Sequence, residues 1–338
     1  MDTADLGPLH VSRLCLGTML MGGATPREDA HRMLDAYVDA GGTFVDTADV
    51  YGDGRSEQTL APWLARRRDD VVLATKLRFS VSDPGGAGLA PDRIPRACDA
   101  SLRRLGVDVI DLYQVHAPDP DVDLDETLRA LDALVQAGKV RALGASNFPA
   151  WLLAWAVAVQ DREGLAPFVS LQPQYSLVER SIEVELLPFC RAAGLGVLPW
   201  GPLGAGFLTG RYRRDEAPPP GSRMADAGDD IEEAPARRAV ERNFRAVDEA
   251  QAIAGELGAT VPQVALAWLL AQPGVTAPII GPRTPGHLAD LLPAADLSLS
   301  DEQLERLGRH TQPPEAYPQR MLAEQVGIDV SQQPLGRP

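Results

Sequence analysis

Short apolar, β-branched runs alternate along this chain with segments whose apolar residues recur three and four positions apart. The runs are typical of strands and the segments between them of amphipathic helices, several with capping residues such as Thr25, Asp123 and Ser300 at their starts. Most runs lie about 30 residues apart, which is the length of one strand-and-helix unit. The predicted strands are residues 14–18, 43–46, 71–76, 109–116, 140–145, 168–172, 195–200 and 277–281.

Eight strands alternating with helices predict an α/β fold, and eight units within about 280 residues suit a closed (β/α)8 TIM barrel. A doubly wound sheet is the alternative, but its dinucleotide fingerprint needs G-x-G-x-x-G after the first strand, where residues 17–22 are GTMLMG. We therefore predict a single barrel domain over residues 1–322 and a mobile tail over residues 323–338. The long gap before the eighth strand holds a Pro-rich loop, residues 211–235, which is predicted to be a ligand-covering flap.

Charge and cysteine usage exclude several classes of function. The formal charge of −15, from 47 acidic and 32 basic residues, leaves no basic footprint for nucleic acid and disfavours an anionic membrane surface. Three well-separated cysteines without a C-x-x-C pair exclude a zinc ribbon and a redox dithiol, and they favour a reducing compartment. No secretory signal is apparent, and no run approaches the roughly 18 apolar residues of a membrane span. We therefore expect a cytoplasmic protein.

Candidate catalytic residues follow from a property of such barrels, whose chemistry lies at the carboxyl ends of the strands. Lys76 ends an otherwise apolar strand, so its ammonium needs a partner, for which Asp46 is a candidate. Tyr51 lies shortly after Asp46, and a nearby ammonium lowers the pKa of a phenol from its usual value of about 10. These three residues form a candidate general acid, and His116 is placed to hydrogen-bond a carbonyl oxygen beside it.

Other interpretations remain open for these residues. His116 by itself is equally typical of a core histidine whose ring nitrogens are hydrogen-bonded within the protein. Ser146 and Asn147 are typical of the turn after a strand. The histidines form no HxH or HExxH pair, so no metal site is predicted. A glycosidase would need a second carboxylate facing Asp46, and the available candidates, Asp49 among them, do not end a strand.

Taken together, the strand-end motifs make the chain resemble the aldo-keto reductases over about residues 6–321. Each motif is weak alone, but their joint order and spacing are highly specific. The matching segments are SRLCLGTM at 12–19, GTFVDTADVYG at 42–52, LATK at 73–76, DLYQVH at 111–116, GASNF at 144–148, LQPQYS at 171–176, GPL at 201–203, GFLTG at 206–210 and IGPRT at 280–284.

The resemblance implies a (β/α)8 barrel that binds NADPH or NADP+ without a Rossmann domain and transfers a hydride to an aldehyde or ketone. The catalytic tetrad would be Asp46, Tyr51, Lys76 and His116. Tyr51 would protonate the carbonyl oxygen, and Lys76 would lower the pKa of Tyr51. Asp46 would hold Lys76 in place, while His116 would orient the carbonyl. This agrees with the interpretation of the same four residues from their positions alone.

The resemblance also implies contacts to the nicotinamide half of the cofactor. Ser146, Asn147 and Gln172 would hydrogen-bond its carboxamide. Trp200 would stack on its ring, at a position where many members of the family have tyrosine.

Contacts to the other half of the cofactor are implied for a larger set of residues. Arg283 would take the adenosine 2′-phosphate, which favours NADPH over NADH. The chain departs from the family at His287, where Gln or Arg is usual, and at Leu291, where Asn is usual. The remaining implied contacts are Thr18, Met19, Asp46, Gly201, Pro202, Leu203, Gly206, Leu208, Arg211, Arg223 and Gly281.

Two alternatives within or near this family are kept. Channel-associated β subunits resemble it and bind NADP while acting on a partner, but they typically have Asn at the position of His116, so an enzyme is favoured. Deoxysugar-nucleotide reductases resemble the chain as well, and a (β/α)8 hydrolase of similar appearance is the third interpretation. The expected partner is a small carbonyl substrate, and the pattern of residues predicts no oligomeric state.

The aromatic residues divide into two predicted groups. Phe79, Trp200 and Tyr317 are expected to form an apolar wall beside the substrate, with simple core or flap packing as the alternative for each. Trp151 and Trp155 lie at helical spacing and are expected to pack in the core.

Overall fold

Eight parallel strands form the barrel, preceded by a two-stranded hairpin. The computed structural model describes residues 1–82, 86–222, 224–225, 235–314 and 317–327. The hairpin consists of β1 (Thr3–Leu6) and β2 (Leu9–Ser12). The barrel strands are β3 (Cys15–Gly17), β4 (Phe44–Asp46), β5 (Val72–Leu77), β6 (Ile110–Val115), β7 (Val140–Ser146), β8 (Phe168–Gln172), β9 (Gly196–Val197) and β10 (Ile279–Ile280).

The strands pair in the order β10-β3-β4-β5-β6-β7-β8-β9, which follows the chain except that the last strand returns to the first. The barrel closes between its last two strands, where the Ile279 amide donates to the Pro199 carbonyl at 2.8 Å and the Thr276 amide to the Val197 carbonyl at 2.8 Å. All eight predicted strands are present in the predicted order. The prediction of a (β/α)8 barrel is therefore confirmed.

Helices form the layer around the barrel, because each amphipathic segment buries its apolar face against the sheet. They are α1 (Arg27–Asp39), α2 (Arg55–Arg67), α3 (Arg93–Leu105), α4 (Leu124–Gln136), α5 (Ala150–Glu163), α6 (Leu186–Ala193), α7 (Pro235–Arg238), α8 (Glu241–Leu257), α9 (Val261–Leu270), α10 (Pro285–Leu291), α11 (Asp301–Gly308) and α12 (Gln319–Met321). Within the described ranges, no single helix is long and apolar enough to cross a bilayer. Helices α8 and α9 reach that length and composition only as a pair, with a 99° bend between them.

The hairpin closes one end of the barrel and was not predicted from the sequence. Leu6, Leu9 and Val11 are buried and pack with side chains from inside the barrel. Gly7 turns the hairpin at φ +57°, and a Cβ there would lie 2.4 Å from Cγ1 of Val169 near the start of β8. The amino-terminal end of the barrel is thereby sealed, and its carboxyl-terminal end is left for the chemistry.

Two local predictions were wrong. Thr25 does not cap α1, since its hydroxyl donates to the Arg283 carbonyl at 3.1 Å and Pro26 precedes the helix without a side-chain cap. Trp151 and Trp155 are not in the core, being 72% and 56% exposed on α5. This helix is apolar on most of its circumference, so its spacing could not identify the buried face.

Three expectations stay predictions. The domain boundary at residue 322 and the mobility of residues 323–338 are untested, since residues 328–338 lie outside the described ranges. The predicted flap, residues 211–235, is described only in part.

Candidate active site

The centre of the site is a buried lysine held by three oxygen atoms. Nζ of Lys76 lies 2.5 Å from Oδ2 of Asp46, and both side chains are essentially inaccessible to solvent. The same nitrogen donates to the Thr47 carbonyl at 2.8 Å and to Oη of Tyr51 at 3.2 Å. Parallel strands β4 and β5 end side by side, so the sheet itself places the two charges together. The structure thus brings together three of the four predicted catalytic residues.

Two amides hold the carboxylate of this pair from its other side. Nε2 of Gln114 donates to Oδ1 of Asp46 at 3.1 Å, and Nε2 of Gln172 donates to the same oxygen at 2.9 Å. Gln172 was predicted as a cofactor contact, whereas Gln114 was not predicted to act at all. The sequence did contain a sign of this role for Gln114. Side chains alternate between the two faces of β6, so Gln114 and His116 lie on the same face.

Electrostatics keep the lysine charged despite its burial. Burial by itself lowers the pKa of the Lys76 ammonium, but the negative Asp46 and the hydroxyl of Tyr51 outweigh it and raise this pKa to about 12. A fixed positive charge therefore lies beside the tyrosine hydroxyl at neutral pH. It stabilises the phenolate that remains when the hydroxyl gives up its proton.

His116, in contrast to Lys76, is kept neutral by its surroundings. Burial and the nearby Lys76 ammonium lower the pKa of its imidazole to about 3. Within the described structure its Nδ1 is buried without a hydrogen-bond partner. The ring meets Phe79 edge-on at 4.9 Å and Tyr51 at 5.8 Å between centroids. A neutral imidazole here can donate a single N–H to a substrate oxygen.

Trp200 is tied to this centre by Asn147. Asn147 has a left-handed backbone with φ +57°, and its amide nitrogen donates to the His116 carbonyl at 2.9 Å and to Oγ of Ser146 at 3.0 Å. The Trp200 indole N–H donates to Oδ1 of Asn147 at 3.0 Å. Both polar atoms of the Asn147 side chain are thus hydrogen-bonded within the protein. Through its oxygen, Asn147 positions the Trp200 indole beside the barrel mouth.

A cleft of about 680 Å³ runs from the catalytic residues to the last strand. Tyr51, His116 and Trp200 line it, and so do Arg211 and Arg283. Such a volume lies in the range of a cofactor or ligand site. The cleft therefore carries both proton-transfer groups and positive charge.

Most residues predicted from the sequence to bind the cofactor line this cleft. Leu208 does not, because it is completely buried in the core, and Arg223 lies outside the described residues. Lys76 is buried and does not line the cleft itself, but its bonding partners Asp46 and Tyr51 do. The lining residues outside the predicted contacts are Gly17, Leu20, Met21, Ala205, Thr209, Tyr212, Thr260, Val261, Pro262, Ile279, Ile280, Pro282, Asp290 and Leu291.

The missed group at residues 260–262 had a signal in the sequence. Thr260 and Gln263 form a reciprocal capping box that begins α9, with a proline in the first turn. The cap fixes the start of α9 at the wall of the cleft. Asp290 reaches the same wall because its backbone carbonyl accepts from Nε2 of Gln263 at 2.7 Å.

Asp49, two residues before Tyr51, is a buried carboxyl outside the tetrad. Among the described residues no hydrogen-bond donor reaches its oxygens, and Nη2 of Arg93 lies 4.0 Å from Oδ2. Burial, with a smaller contribution from Glu57, raises the pKa of this carboxyl to about 7. The folded protein therefore holds the Asp49 proton to a higher pH than the unfolded chain, in which the pKa is near the ordinary value of 3.8.

The difference between the pKa of Asp49 in the folded protein and in the unfolded chain predicts how stability depends on pH. The unfolded chain loses the proton first, so the free energy of unfolding falls as the pH rises from about 4 to about 7. Asp49→Asn removes this dependence. The free energy of unfolding of the Asp49→Asn variant minus that of the unsubstituted protein should therefore increase by about 2–3 kcal/mol from pH 5 to pH 8. Urea titration at both pH values measures this, with Asp108→Asn at an exposed position as the control. Parallel curves for the Asp49 and Asp108 variants would contradict it.

Comparisons with known proteins give a consistent result. The sequence model of the aldo/keto reductase family matches residues 13–312. The uncharacterized oxidoreductase YrpG of Bacillus subtilis is 40% identical over 91% of this chain and 96% of its own length. Norsolorinic acid reductase B of Aspergillus parasiticus is 35% identical over 88% and 80%. A probable voltage-gated potassium channel subunit beta of Oryza sativa subsp. japonica is 33% identical over 86% and 89%.

Proposed function

This chain belongs to the aldo/keto reductase family of oxidoreductases, and we propose that it reduces an aldehyde or ketone with NADPH, using Tyr51 as its general acid. The observation that carries the proposal is the buried Lys76–Asp46 pair, which places an ammonium 3.2 Å from the Tyr51 hydroxyl at the edge of the cleft. A neutral His116 lies beside the same hydroxyl. Members of the family generally use NADH or NADPH.

The residues of the cleft fit such a dinucleotide. Gly201 and Gly206 line it with φ of +63° and +87°, so their backbone is open to close approach by a ligand. Arg211 and Arg283 supply positive charge for phosphate groups. Trp200 supplies an aromatic face, and Ser146 lines the same cleft. When bound, the reduced nicotinamide supplies the hydride.

The chain's own residues then handle the proton and the carbonyl. Tyr51 donates its hydroxyl proton to the carbonyl oxygen as the carbon is reduced, which makes it a general acid. Lys76 stabilises the resulting phenolate, and Asp46 keeps the ammonium in position. His116 is neutral near pH 7, so it orients the carbonyl oxygen by hydrogen bonding without adding a second charge.

The mouth of the cleft favours a substrate with an apolar substituent. Met19 lines the cleft and is 40% exposed, and Phe79 is 36% exposed with its ring against His116. Together with Trp200 they present apolar surface near the reacting groups. We therefore propose apolar aldehydes and ketones ahead of sugar nucleotides, and parallel kcat/KM measurements on both classes test this order.

Arg283 is proposed to select NADPH over NADH. Its side chain lines the cleft and donates to the Gly221 carbonyl at 3.2 Å, which holds the guanidinium beside the flap segment. Arg283→Ala should weaken NADPH by about 10- to 100-fold, because a charge-assisted contact to the 2′-phosphate is lost, and NADH by less than about 3-fold.

Quenching of tryptophan fluorescence by each cofactor measures these affinities, since Trp200 lines the cleft. Arg309→Ala, an exposed arginine on the chain just after α11, is the matched control. Equal losses for both cofactors in the Arg283 variant would remove the proposed selectivity. Absence of NADPH binding to the unsubstituted protein would overturn the proposed reductase itself.

A cofactor-binding regulatory subunit is the second candidate, favoured by the similarity to the channel subunit from rice. Repeated turnover separates the two functions. A reductase consumes many equivalents of NADPH with a good carbonyl substrate. A regulatory subunit binds the cofactor and completes few or no cycles.

A further inference from the structure

One face of α5 carries two exposed tryptophans in a continuous stripe. Trp151, Trp155, Ala158 and Arg162 are all exposed and follow one another at spacings of four, three and four residues. At 3.6 residues per turn these positions share one side of the helix. We call this set the α5 stripe.

The α5 stripe is unusual for a surface in contact with water. Trp151 is 72% and Trp155 is 56% exposed, so the two indoles together present roughly 300 Å² to solvent. Single exposed apolar residues are ordinary on proteins, but a contiguous aromatic patch marks a site of association. Tryptophan and arginine are also the residues enriched at the centres of interfaces.

We propose that the α5 stripe binds the same stripe of a second copy of this chain, with the two α5 helices antiparallel about a two-fold axis. Such an axis makes each contact occur twice and requires a self-complementary surface. With the axis midway between Trp155 and Ala158, Trp155 lies opposite the partner's Ala158. The same register places Trp151 opposite the partner's Arg162.

Both pairs are complementary in size or charge. The small Ala158 leaves room for an indole, which allows the two helices to approach closely. A guanidinium is attracted to the face of an indole and stacks on it. Arg162 is already positioned for this, because Nη2 donates to Asp125 at 3.1 Å and to Glu163 at 3.0 Å.

The exposed area sets the strength expected of this dimer. A stable interface buries about 800 Å² on each partner, well above what the two indoles contribute. The dimer should therefore dissociate in the micromolar range. This inference is independent of the proposed reductase function, since the α5 stripe shares no residue with the cleft.

Sedimentation velocity of the full chain from about 1 to 200 µM tests the proposal. The mass should rise with concentration from 36.2 kDa to twice that value. Trp155→Glu and Ala158→Glu should each raise the dissociation constant at least 100-fold, because both place a carboxylate against the partner's apolar surface. Ala36→Glu is the control, an exposed alanine on α1 on the opposite side of the barrel. An unchanged far-UV circular dichroism spectrum and an unchanged urea midpoint confirm that the variants fold.

Three results would overturn the proposal. The first is a chain that stays monomeric at 200 µM. The second is a dimer that both stripe variants leave intact, which places the interface on another face. The third is a monomer whose tryptophan emission shifts when neutral phosphatidylcholine vesicles are added, which makes the stripe a lipid-binding surface.

Discussion

Replacing Tyr51 with phenylalanine should lower kcat by about 10²- to 10⁴-fold, the range that a positioned general acid contributes. The hydroxyl lies 3.2 Å from the buried ammonium and lines the cleft, and the variant removes only this oxygen. NADPH affinity should change less than about 2-fold, since the ring still fills the same space. Steady-state turnover and fluorescence titration separate the two effects.

Tyr317→Phe provides the matched control, because Tyr317 is 78% exposed and the substitution keeps the ring that was predicted to face the substrate while removing only the hydroxyl. It should retain full turnover. If the Tyr51 variant also retains turnover, another group supplies the proton and the assignment fails.

Replacing Lys76 with methionine should have the second-largest effect, acting on both stability and turnover. The substitution leaves the Asp46 carboxylate buried without its counter-ion, which typically costs about 3–5 kcal/mol of the free energy of unfolding. The Tyr51 phenolate also loses its stabilising charge, so kcat should fall by about 10²-fold or more. Urea denaturation and steady-state kinetics measure the two losses.

A second variant distinguishes the lost charge from simple disruption. Asp46→Asn combined with Lys76→Met removes both charges, and the Asn oxygen still accepts from Gln114 and Gln172. Most of the lost stability should return while kcat stays low. A double variant as unstable as Lys76→Met alone would show that packing, and not an uncompensated charge, causes the loss.

The fold was predictable because its signal is local. Each strand is a short run of β-branched and apolar residues that must be buried on both faces, and each helix shows its own period. Lys76 stood out for the same reason, since a charge that ends an apolar strand needs a partner. The hairpin before the barrel was missed because its four-residue strands are too short for a pattern, and Leu6 and Leu9 show their role only inside the closed barrel.

The site was predictable in its residues and less so in their contacts. Asp46, Tyr51 and His116 come together as expected, because parallel strands end at one edge. Gln114 holding Asp46, and Asn147 holding Trp200, were not foreseen. Each depends on the register between strands or on one left-handed residue, and neither leaves a periodic trace.

The sequence by itself therefore determined the barrel, the order of its strands and the identity of the groups at its mouth. These follow from burial and from the period of each element, which are properties of neighbouring residues. Only the tertiary structure decided that Leu208 lies in the core, that Thr25 binds the Arg283 carbonyl, and that Trp151 faces water. Such outcomes depend on which distant segments pack against a residue, and that is settled when the barrel closes.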